Sequence, residues 1–164
     1  MRVFAVSGFS GTGKTTLVES IVSSLVVRGY SVVTLKSSQH EAGPEQGTDT
    51  WRHKQAGASM TIFLGPSTKS VKFKDRIGPD ELARLSKFDF LIVEGMKSVN
   101  IPRFWCVGNT EIELGDVPVN TQAIVSWLDR ETDASEDIRV ITADKVEELI
   151  DIVKTSSVDI SEID

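Results

Sequence analysis

The first 36 residues carry a hydrophobic pattern that predicts a strand, a helix and a second strand. Residues 2–7 are a short run rich in strand-forming side chains, and residues 31–36 are another. Between them, residues 14–28 carry apolar side chains at helical spacing, and Gly29 follows as a helix-ending residue. The apolar helix positions are Leu17, Val18, Ile21, Val22, Leu25 and Val26. Two strands joined by a helix in this way are expected to be parallel, with a right-handed crossover.

The rest of the chain continues to alternate strand and helix patterns. Strands are predicted at residues 60–64, 70–73, 88–93, 103–107, 122–126 and 138–141. Helices are predicted after the capping residues Thr48 and Asp49, at residues 79–87, and after Thr142 as N-cap. The pattern predicts an α/β fold, a three-layer sandwich in which a mainly parallel sheet is flanked by helices. We expect a single domain over residues 1–154 and a frayed, acidic C-terminal tail over residues 155–164.

A glycine-rich segment lies between the first strand and the first helix. Residues 8–15 read GFSGTGKT and match the pattern G-x-x-x-x-G-K-[ST] of phosphate-binding loops. Glycine allows positive φ, so that successive N–H groups point inward at the positive end of the helix. Lys14 would contact the β- and γ-phosphates, Thr15 would offer its hydroxyl to Mg²⁺, and Thr16 would reach the α-phosphate. Backbone contacts are expected from Gly11, Thr12 and Gly13. The motif predicts a bound nucleoside triphosphate with magnesium.

A second candidate site residue, Glu94, ends the apolar run at residues 88–93. That strand would bring Glu94 to the same sheet edge as the phosphate loop, where a carboxylate holds or orients magnesium. Gly95 would then let the backbone turn beside the γ-phosphate. The alternative is an ordinary surface glutamate at a strand end. Asp89, at the opposite end of the strand, is expected to act as a cap or to lie in solvent.

The segment after the second strand gathers further polar side chains. Lys36 ends the strand, His40 lies in the loop beyond it, and Asp49 and Arg52 follow at a spacing of three residues. His40 read alone is an ordinary loop residue, and Asp49 with Arg52 could be a pair on a helix surface. Because ligands bind at the carboxyl ends of strands in α/β proteins, we also expect these side chains near the phosphate site.

Composition narrows the choice of partners. The net charge of −6 and the pI near 5.0 argue against an electrostatic coat for nucleic acid. The basic surplus lies in residues 1–82, which hold 10 basic and 7 acidic side chains. No apolar run approaches the ~20 residues of a membrane span, and the N-terminal run is too short for a secretory signal. We expect a cytoplasmic protein with no membrane partner.

Cys106, the only cysteine, excludes an intrachain disulfide and is expected to be a buried packing residue.

The chain resembles the family of molybdopterin-guanine dinucleotide biosynthesis protein B (MobB) in four segments. They are residues 8–16, Lys36 with His40, the block G-x-D-x-x-R-x-x-x-A-G-A at residues 47–58, and the residues EGMK at 94–97. Many families share the phosphate loop, whereas the block at 47–58 is far more specific. The resemblance covers about residues 1–110, and Ser37 stands where the family usually has a histidine.

The resemblance implies a P-loop NTPase that binds GTP with Mg²⁺ and has at most a weak GTPase activity. It implies a homodimer acting as an adapter beside the guanylyltransferase that attaches GMP to molybdopterin, with molybdopterin or its guanine dinucleotide as a further partner. Asp49 and Glu94 then resemble the magnesium-side carboxylates, together with Thr15. Lys14, Glu94 and Asp49 would be catalytic, and Lys36, His40, Arg52 and Gly95 would complete the nucleotide site.

Two other classes of function compete with this reading. A small-molecule kinase or ATP-dependent synthetase, like dethiobiotin synthetase, generally needs an arginine-bearing lid. After Gly95 the arginines are scattered at positions 103, 130 and 139, which argues mildly against such a lid. A switch or scaffold that hydrolyses its nucleotide slowly is favoured instead. No Asn-Lys-x-Asp stretch is present, so guanine preference cannot be read from a motif.

Overall fold

A parallel sheet with helices on both faces forms the centre of the molecule. The computed structural model describes residues 1–38, 45–65, 79–109, 113–128 and 138–163. The strands are β1 (Arg2–Gly8), β2 (Val32–Ser37), β3 (Met60–Leu64), β4 (Phe90–Glu94), β5 (Arg103–Gly108), β6 (Thr121–Ser126), β7 (Val140–Thr142) and β8 (Val158–Asp159). The helices are α1 (Lys14–Val27), α2 (Asp49–Gln55), α3 (Pro79–Leu85) and α4 (Val146–Ser156). Single 3₁₀ turns lie at Leu114–Asp116 and Ile160–Glu162.

The strand order places β1 in the middle of the sheet. The order is β3-β2-β4-β1-β5-β6-β7, and every pairing along it is parallel. The carboxyl ends of β1, β2 and β4 therefore meet at one edge. In the register between β2 and β4, Lys36 lies opposite Glu94, and Val6 of β1 flanks Glu94 on the other side.

The alternation of buried residues in β1 divides the core into two layers. Phe4 and Val6 face a cluster that contains buried residues of α1 and α4. Val3 and Ala5 face a second cluster that contains Leu85 of α3. Both faces of the sheet are covered, which confirms the predicted three-layer α/β sandwich with a mainly parallel sheet.

The C-terminal segment corrects two expectations. A frayed tail from residue 155 was the prediction, yet β8 pairs antiparallel with the start of β1, and Ile160 and Ile163 are buried. Three apolar residues, Val158, Ile160 and Ile163, anchor this segment, and the acidic composition around them gave no sign of their packing. Thr142 is also not the N-cap of α4, because it ends β7 and the helix begins after Lys145.

Several local predictions agree with the structure. Residues 60–64 form β3, and Thr48 caps α2 by accepting a hydrogen bond from Trp51 N at 3.4 Å. Asp89 accepts two hydrogen bonds from Ser31, which matches its expected capping role. Cys106 is buried, and burial raises the pKa of its thiol to about 12. The strand predicted at 70–73 lies outside the described residues.

In the described part of the chain, no helix combines the length and the apolar character needed to cross a bilayer.

Candidate functional site

Two glycines shape the loop that joins β1 to α1. The φ angle is 76° at Gly11 and 81° at Gly13, in the left-handed region that favours glycine. Gly13 immediately precedes α1, and no side chain caps the helix there. The partial positive charge of the helix end therefore faces the concave side of the loop, which is the arrangement that binds anions. The glycine-rich segment thus lies between β1 and α1, as the sequence predicts.

Trp127 supports this loop from one side. A Cβ at Gly13 would lie 2.1 Å from Trp127 Nε1, so glycine is required for the indole to pack there. The indole N–H donates to Thr12 O at 3.0 Å, and the Thr12 hydroxyl donates to Phe9 O at 2.9 Å. The side chain of Thr12 consequently braces the loop from within.

Three oxygen-bearing side chains converge at the mouth of the loop. The Thr15 hydroxyl lies 3.0 Å from Asp49 Oδ1 and 2.9 Å from Glu94 Oε1. They come from the first turn of α1, the first residue of α2 and the end of β4. A hydroxyl has one proton and can donate it to only one of these carboxylates at a time. These three side chains therefore offer more hydrogen-bond acceptors than donors, and the negative charge of the two carboxylates needs a cation to balance it.

Lys36 supplies part of the balancing positive charge. Its ammonium lies 2.6 Å from Asp49 Oδ2 and also bonds Glu94 Oε1. Burial acts to lower the pKa of Lys36, but the attraction of Glu94 and the hydrogen bonds to both carboxylates raise it above its ordinary value. The structure thus brings together the strand-end lysine and the two carboxylates that the sequence singled out.

Glu94 is almost fully buried and remains charged. Burial alone would raise its pKa, but hydrogen bonds from His53 and Lys36 and the positive charge of Lys36 lower the pKa to about 2. His53 Nε2 lies 2.9 Å from Glu94 Oε2, and both side chains are buried. His53 belongs to none of the motifs in the sequence and was not predicted. Its position four residues after Asp49, on the same face of α2, was the available signal.

Lys14 points back into its own loop in this structure. Its ammonium donates to Phe9 O. Burial lowers the pKa of Lys14, and the neighbouring cations Lys36 and Lys97 act in the same direction, against Glu94. An anion entering the loop would give this ammonium a stronger partner than a backbone carbonyl.

Arg52 is held by a residue that the sequence analysis did not consider. Its guanidinium pairs with both carboxylate oxygens of Glu19 at 2.8 and 2.6 Å, and it also donates to Thr16 Oγ1 at 3.1 Å. The pairing is thus with α1 rather than with Asp49 on its own helix. Glu19 fixes Arg52 beside the first turn of α1.

An open cavity of about 400 Å³ lies between these groups. It is lined by Ser10, Gly11, Gly13, Lys14, Thr15, Thr16, Lys36, Asp49, Arg52 and Glu94. Of the remaining predicted residues, His40 lies outside the described residues, and Thr12 and Gly95 do not line the cavity. Gly95, with φ of 101°, instead turns the chain after β4 and accepts a hydrogen bond from Ser7 Oγ at 2.7 Å.

Arg103 is a further residue whose role the sequence did not reveal. It is 1% exposed, and its guanidinium donates to Ser7 Oγ and to backbone oxygens of the segment after Gly95. These acceptors are the carbonyls of Met96, Lys97, Val99 and Ile101. Burial lowers its pKa. Arg103 thereby fixes the course of the backbone that follows Glu94.

The oxygen cluster fits Mg²⁺ bound together with phosphates better than a metal held by protein alone. No group of three or more His, Cys, Asp or Glu side chains suited to a metal occurs within the described ranges. Thr15, Asp49 and Glu94 offer one hydroxyl and two carboxylates. Magnesium is usually bound by one or two carboxylates, with phosphate oxygens and water completing its shell.

A parallel sheet with a glycine loop before its first helix, and a carboxylate at the end of the neighbouring strand, defines a P-loop NTPase fold. The chain belongs to the MobB family: the family model described as "Molybdopterin guanine dinucleotide synthesis protein B" matches residues 3–127. The crystal structure of Bacillus subtilis MobB superposes with a TM-score of 0.64 at 25% identity, covering 96% of this chain and 99% of that one. An Archaeoglobus fulgidus hydrogenase maturation factor, HypB, superposes with a TM-score of 0.60 at 19% identity, covering 93% of this chain and 88% of the HypB chain, a likeness of fold alone.

Curated relatives carry the name molybdopterin-guanine dinucleotide biosynthesis adapter protein. The Haemophilus influenzae protein is 32% identical over 107 residues, which is 62% of this chain and 60% of that protein. A putative adapter protein of Methanocaldococcus jannaschii is 36% identical over 111 residues, 63% of this chain and 46% of its own length. The chain thus matches less than two thirds of either relative. A probable adapter protein of Bacillus subtilis is 30% identical over 129 residues, 75% of each chain.

Proposed function

We propose that this protein binds GTP with Mg²⁺ in the 400 Å³ cavity and hydrolyses it slowly. The observation that carries the proposal is the convergence of Thr15, Asp49 and Glu94 beside an open helix end. The helix end attracts phosphate, and the oxygens attract a divalent cation, so the two halves of a magnesium-nucleotide complex find complementary groups. When bound, Mg²⁺ would be held by Thr15, Asp49 and Glu94 and would neutralise the charge of the phosphates.

The residues of the loop would take separate roles. The backbone of Gly11, Thr12 and Gly13 would cradle the phosphates, and Lys14 would exchange Phe9 O for a phosphate oxygen. Thr15, Asp49 and Glu94 would face the cation.

The residues around the loop would complete the nucleotide site. Thr16 and Arg52 lie together on the side of the α-phosphate in this assignment, and Gly95 would turn the backbone near the γ-phosphate. Lys36 and His40 remain proposed nucleotide contacts.

Slow hydrolysis fits the contacts of Glu94. Its Oε1 faces the Thr15 hydroxyl and the Lys36 ammonium, and its Oε2 is hydrogen-bonded to His53. Both oxygens are thus engaged, which makes this carboxylate a poor proton acceptor for an attacking water. In this proposal Lys14, Asp49 and Glu94 assist hydrolysis through charge and orientation, so the protein is a weak GTPase at most.

A second cavity offers room for the nucleoside. It measures about 560 Å³ and is lined by Ser20, Trp127, Thr142, Ala143, Asp144, Lys145 and Val146. The volume is in the usual range for small-molecule sites. Trp127, which lines this cavity, packs against Gly13, which lines the first one. An indole surface next to Asp144 suits a flat base that carries hydrogen-bond donors.

The proposed pathway role is based on the membership of this chain in the MobB family. We infer that it acts as an adapter in molybdopterin guanine dinucleotide synthesis, as a homodimer in the cytoplasm. Its partners would be molybdopterin or the guanine dinucleotide, and the guanylyltransferase of that pathway. The names of the relatives support the adapter role, and the guanine preference rests on the same association.

Calorimetric titration of the protein with GTP, ATP and molybdopterin, each with Mg²⁺ and with EDTA, tests the proposal. We expect GTP to bind more tightly than ATP, Mg²⁺ to strengthen binding, and phosphate release to be slow. Asp49→Asn should lose most of the Mg²⁺ effect, while the exposed Asp80→Asn keeps it. Fast phosphoryl transfer from ATP to a small metabolite would instead support a kinase or synthetase, and equal affinities with and without Mg²⁺ would contradict the assigned site.

A further inference from the structure

His53 is the one buried histidine that the described structure places against a candidate metal ligand. It is the fifth residue of α2 and has no exposed surface. Its Nε2 atom lies 2.9 Å from Glu94 Oε2, while its Nδ1 atom is buried without a hydrogen-bond partner among the described residues. Burying an unpaired ring nitrogen is costly, so packing alone does not explain a histidine here.

The direction of the hydrogen bond follows from the carboxylate. Glu94 Oε1 is bonded by the Lys36 ammonium, as expected of an ionised carboxylate, and an ionised carboxylate only accepts hydrogen bonds. His53 Nε2 therefore carries the proton and donates it to Glu94 Oε2. The histidine acts on this carboxylate as a fixed donor at the end of a short, buried side chain.

The two oxygens of Glu94 have different partners. Oε2 receives the hydrogen bond from His53, whereas Oε1 faces the Thr15 hydroxyl and the Lys36 ammonium. Holding Oε2 from behind removes the freedom of the carboxylate to rotate about its last torsion. Oε1 is thereby aimed at the side of the cavity where Thr15 and Asp49 converge.

Helix α2 carries one of the two carboxylates, Asp49, and contacts the other, Glu94, through His53. Asp49 and His53 are four residues apart and share one face of the helix. Asp49 presents its own carboxylate to Thr15, and His53 orients the carboxylate of Glu94 on the adjacent strand. A single seven-residue helix thus sets the separation of the two groups.

We propose that His53 is a positioning residue, which orients Glu94 so that Oε1 and Asp49 together receive the divalent cation bound with the nucleotide. The proposal rests on the proposed magnesium-nucleotide site. Residues that hold a metal ligand from behind typically change metal affinity by about 10–100-fold when they are replaced.

Binding of Mn²⁺ to the full chain, measured by electron paramagnetic resonance with a non-hydrolysable GTP analogue, provides the test. His53→Ala and His53→Asn should weaken Mn²⁺ binding by about 10–100-fold. His53→Gln should restore most of it, because the amide nitrogen of glutamine extends as far as Nε2 and that of asparagine does not. Affinity for the analogue in EDTA should be unchanged in all three variants, which a merely structural role would not predict.

Each outcome has a definite meaning. Wild-type Mn²⁺ affinity in His53→Asn, or no recovery in His53→Gln, would overturn the positioning role while leaving the nucleotide site intact. Equal losses with and without Mn²⁺ would also overturn it and indicate a general packing role. If the wild-type protein bound no Mn²⁺ with the analogue, the proposed function itself would fail. Should His53→Ala not fold, the comparison of the asparagine and glutamine variants carries the test.

Discussion

Lys36 and Glu94 lie directly opposite each other on adjacent parallel strands, and the ammonium of one bonds the carboxylate of the other. The same ammonium reaches Asp49 at 2.6 Å. The single positive charge of Lys36 thus neutralises part of the negative charge of Asp49 and Glu94, the two carboxylates that we assign to a divalent cation. Lys36 holds the acidic groups of the site together.

Replacing Lys36 by methionine removes this cation and leaves the two carboxylates facing each other. We expect the free energy of unfolding to fall by about 1.5–3 kcal/mol, the usual size of a hydrogen bond to a charged group. Mg²⁺ without nucleotide should then raise the melting temperature of Lys36→Met more than that of the wild type. Thermal unfolding with and without Mg²⁺ measures both effects. Lys54→Met, at an exposed position of α2, is the control, and equal shifts in both variants would contradict this role of Lys36.

Lys14→Ala should weaken nucleotide binding strongly. The ammonium is the mobile cation of the loop, and a charge-assisted hydrogen bond of about 1.5–3 kcal/mol corresponds to about 10–150-fold in affinity. Quenching of tryptophan fluorescence is a suitable readout because Trp127 contacts the loop. Lys87→Ala, at an exposed site after α3, should bind normally. Unchanged affinity in Lys14→Ala would remove the basis for the phosphate assignment.

Arg103→Leu should cost much more stability than the loss of a surface arginine. Its buried guanidinium satisfies several backbone carbonyls, and each unsatisfied group costs about 1–3 kcal/mol. We expect a decrease of at least about 3 kcal/mol in urea unfolding. Arg139→Leu, where the side chain is 65% exposed and pairs with Glu148, should change stability by less than about 1 kcal/mol. Similar losses in the two variants would show that the buried network adds nothing.

Acid should loosen the C-terminal segment through Asp159. Hydrogen bonds from Ser161, assisted by the N-terminal ammonium, lower the pKa of Asp159 from 3.8 to about 2. Because the folded pKa is the lower one, the stabilisation is complete above pH 3.8 and is lost as the pH falls towards about 2. The protection factors of the β8 amides, which correct the exchange rates for the intrinsic effect of pH, should therefore fall as the pH is lowered from 6 to 2.

Asp159→Asn separates this effect from general acid unfolding. In that variant the reduced protection of β8 should already be present near pH 6. Glu162→Gln, an exposed neighbour on the same segment, should behave like the wild type. An unchanged pH profile in Asp159→Asn would assign the acid response to other groups.

The sequence predicted the main assembly of the site because parallel strands impose it. Lys36 and Glu94 lie at the ends of neighbouring strands, and Thr15 lies in the first turn of the helix beyond the glycine loop, so their convergence follows from topology. The contacts of His53 and Glu19 did not follow. They depend on how α2 is rotated against the sheet and against α1, and hydrophobic spacing in a seven-residue helix does not determine that rotation.

Two further features escaped prediction for related reasons. The acceptors of Arg103 are backbone carbonyls of an irregular segment. Every residue has a backbone carbonyl, so the sequence does not show which of them will accept a hydrogen bond. The terminal strand β8 is anchored by Ile160 and Ile163, which are spaced three residues apart in an acidic stretch. Pairing with β1 became possible because β5 joins β1 only from Ala5 onward, which leaves the start of β1 open on that side.

Because Cys106 is buried, the protein is expected to be unreactive towards thiol reagents. The chain has a single cysteine, and its pKa of about 12 leaves almost no thiolate at neutral pH. A cysteine introduced at a fully exposed position such as Val119 would then be the sole site of maleimide labelling. A fluorophore or spin label placed there reports assembly with a second copy or with an enzyme partner, without any need to remove the native thiol.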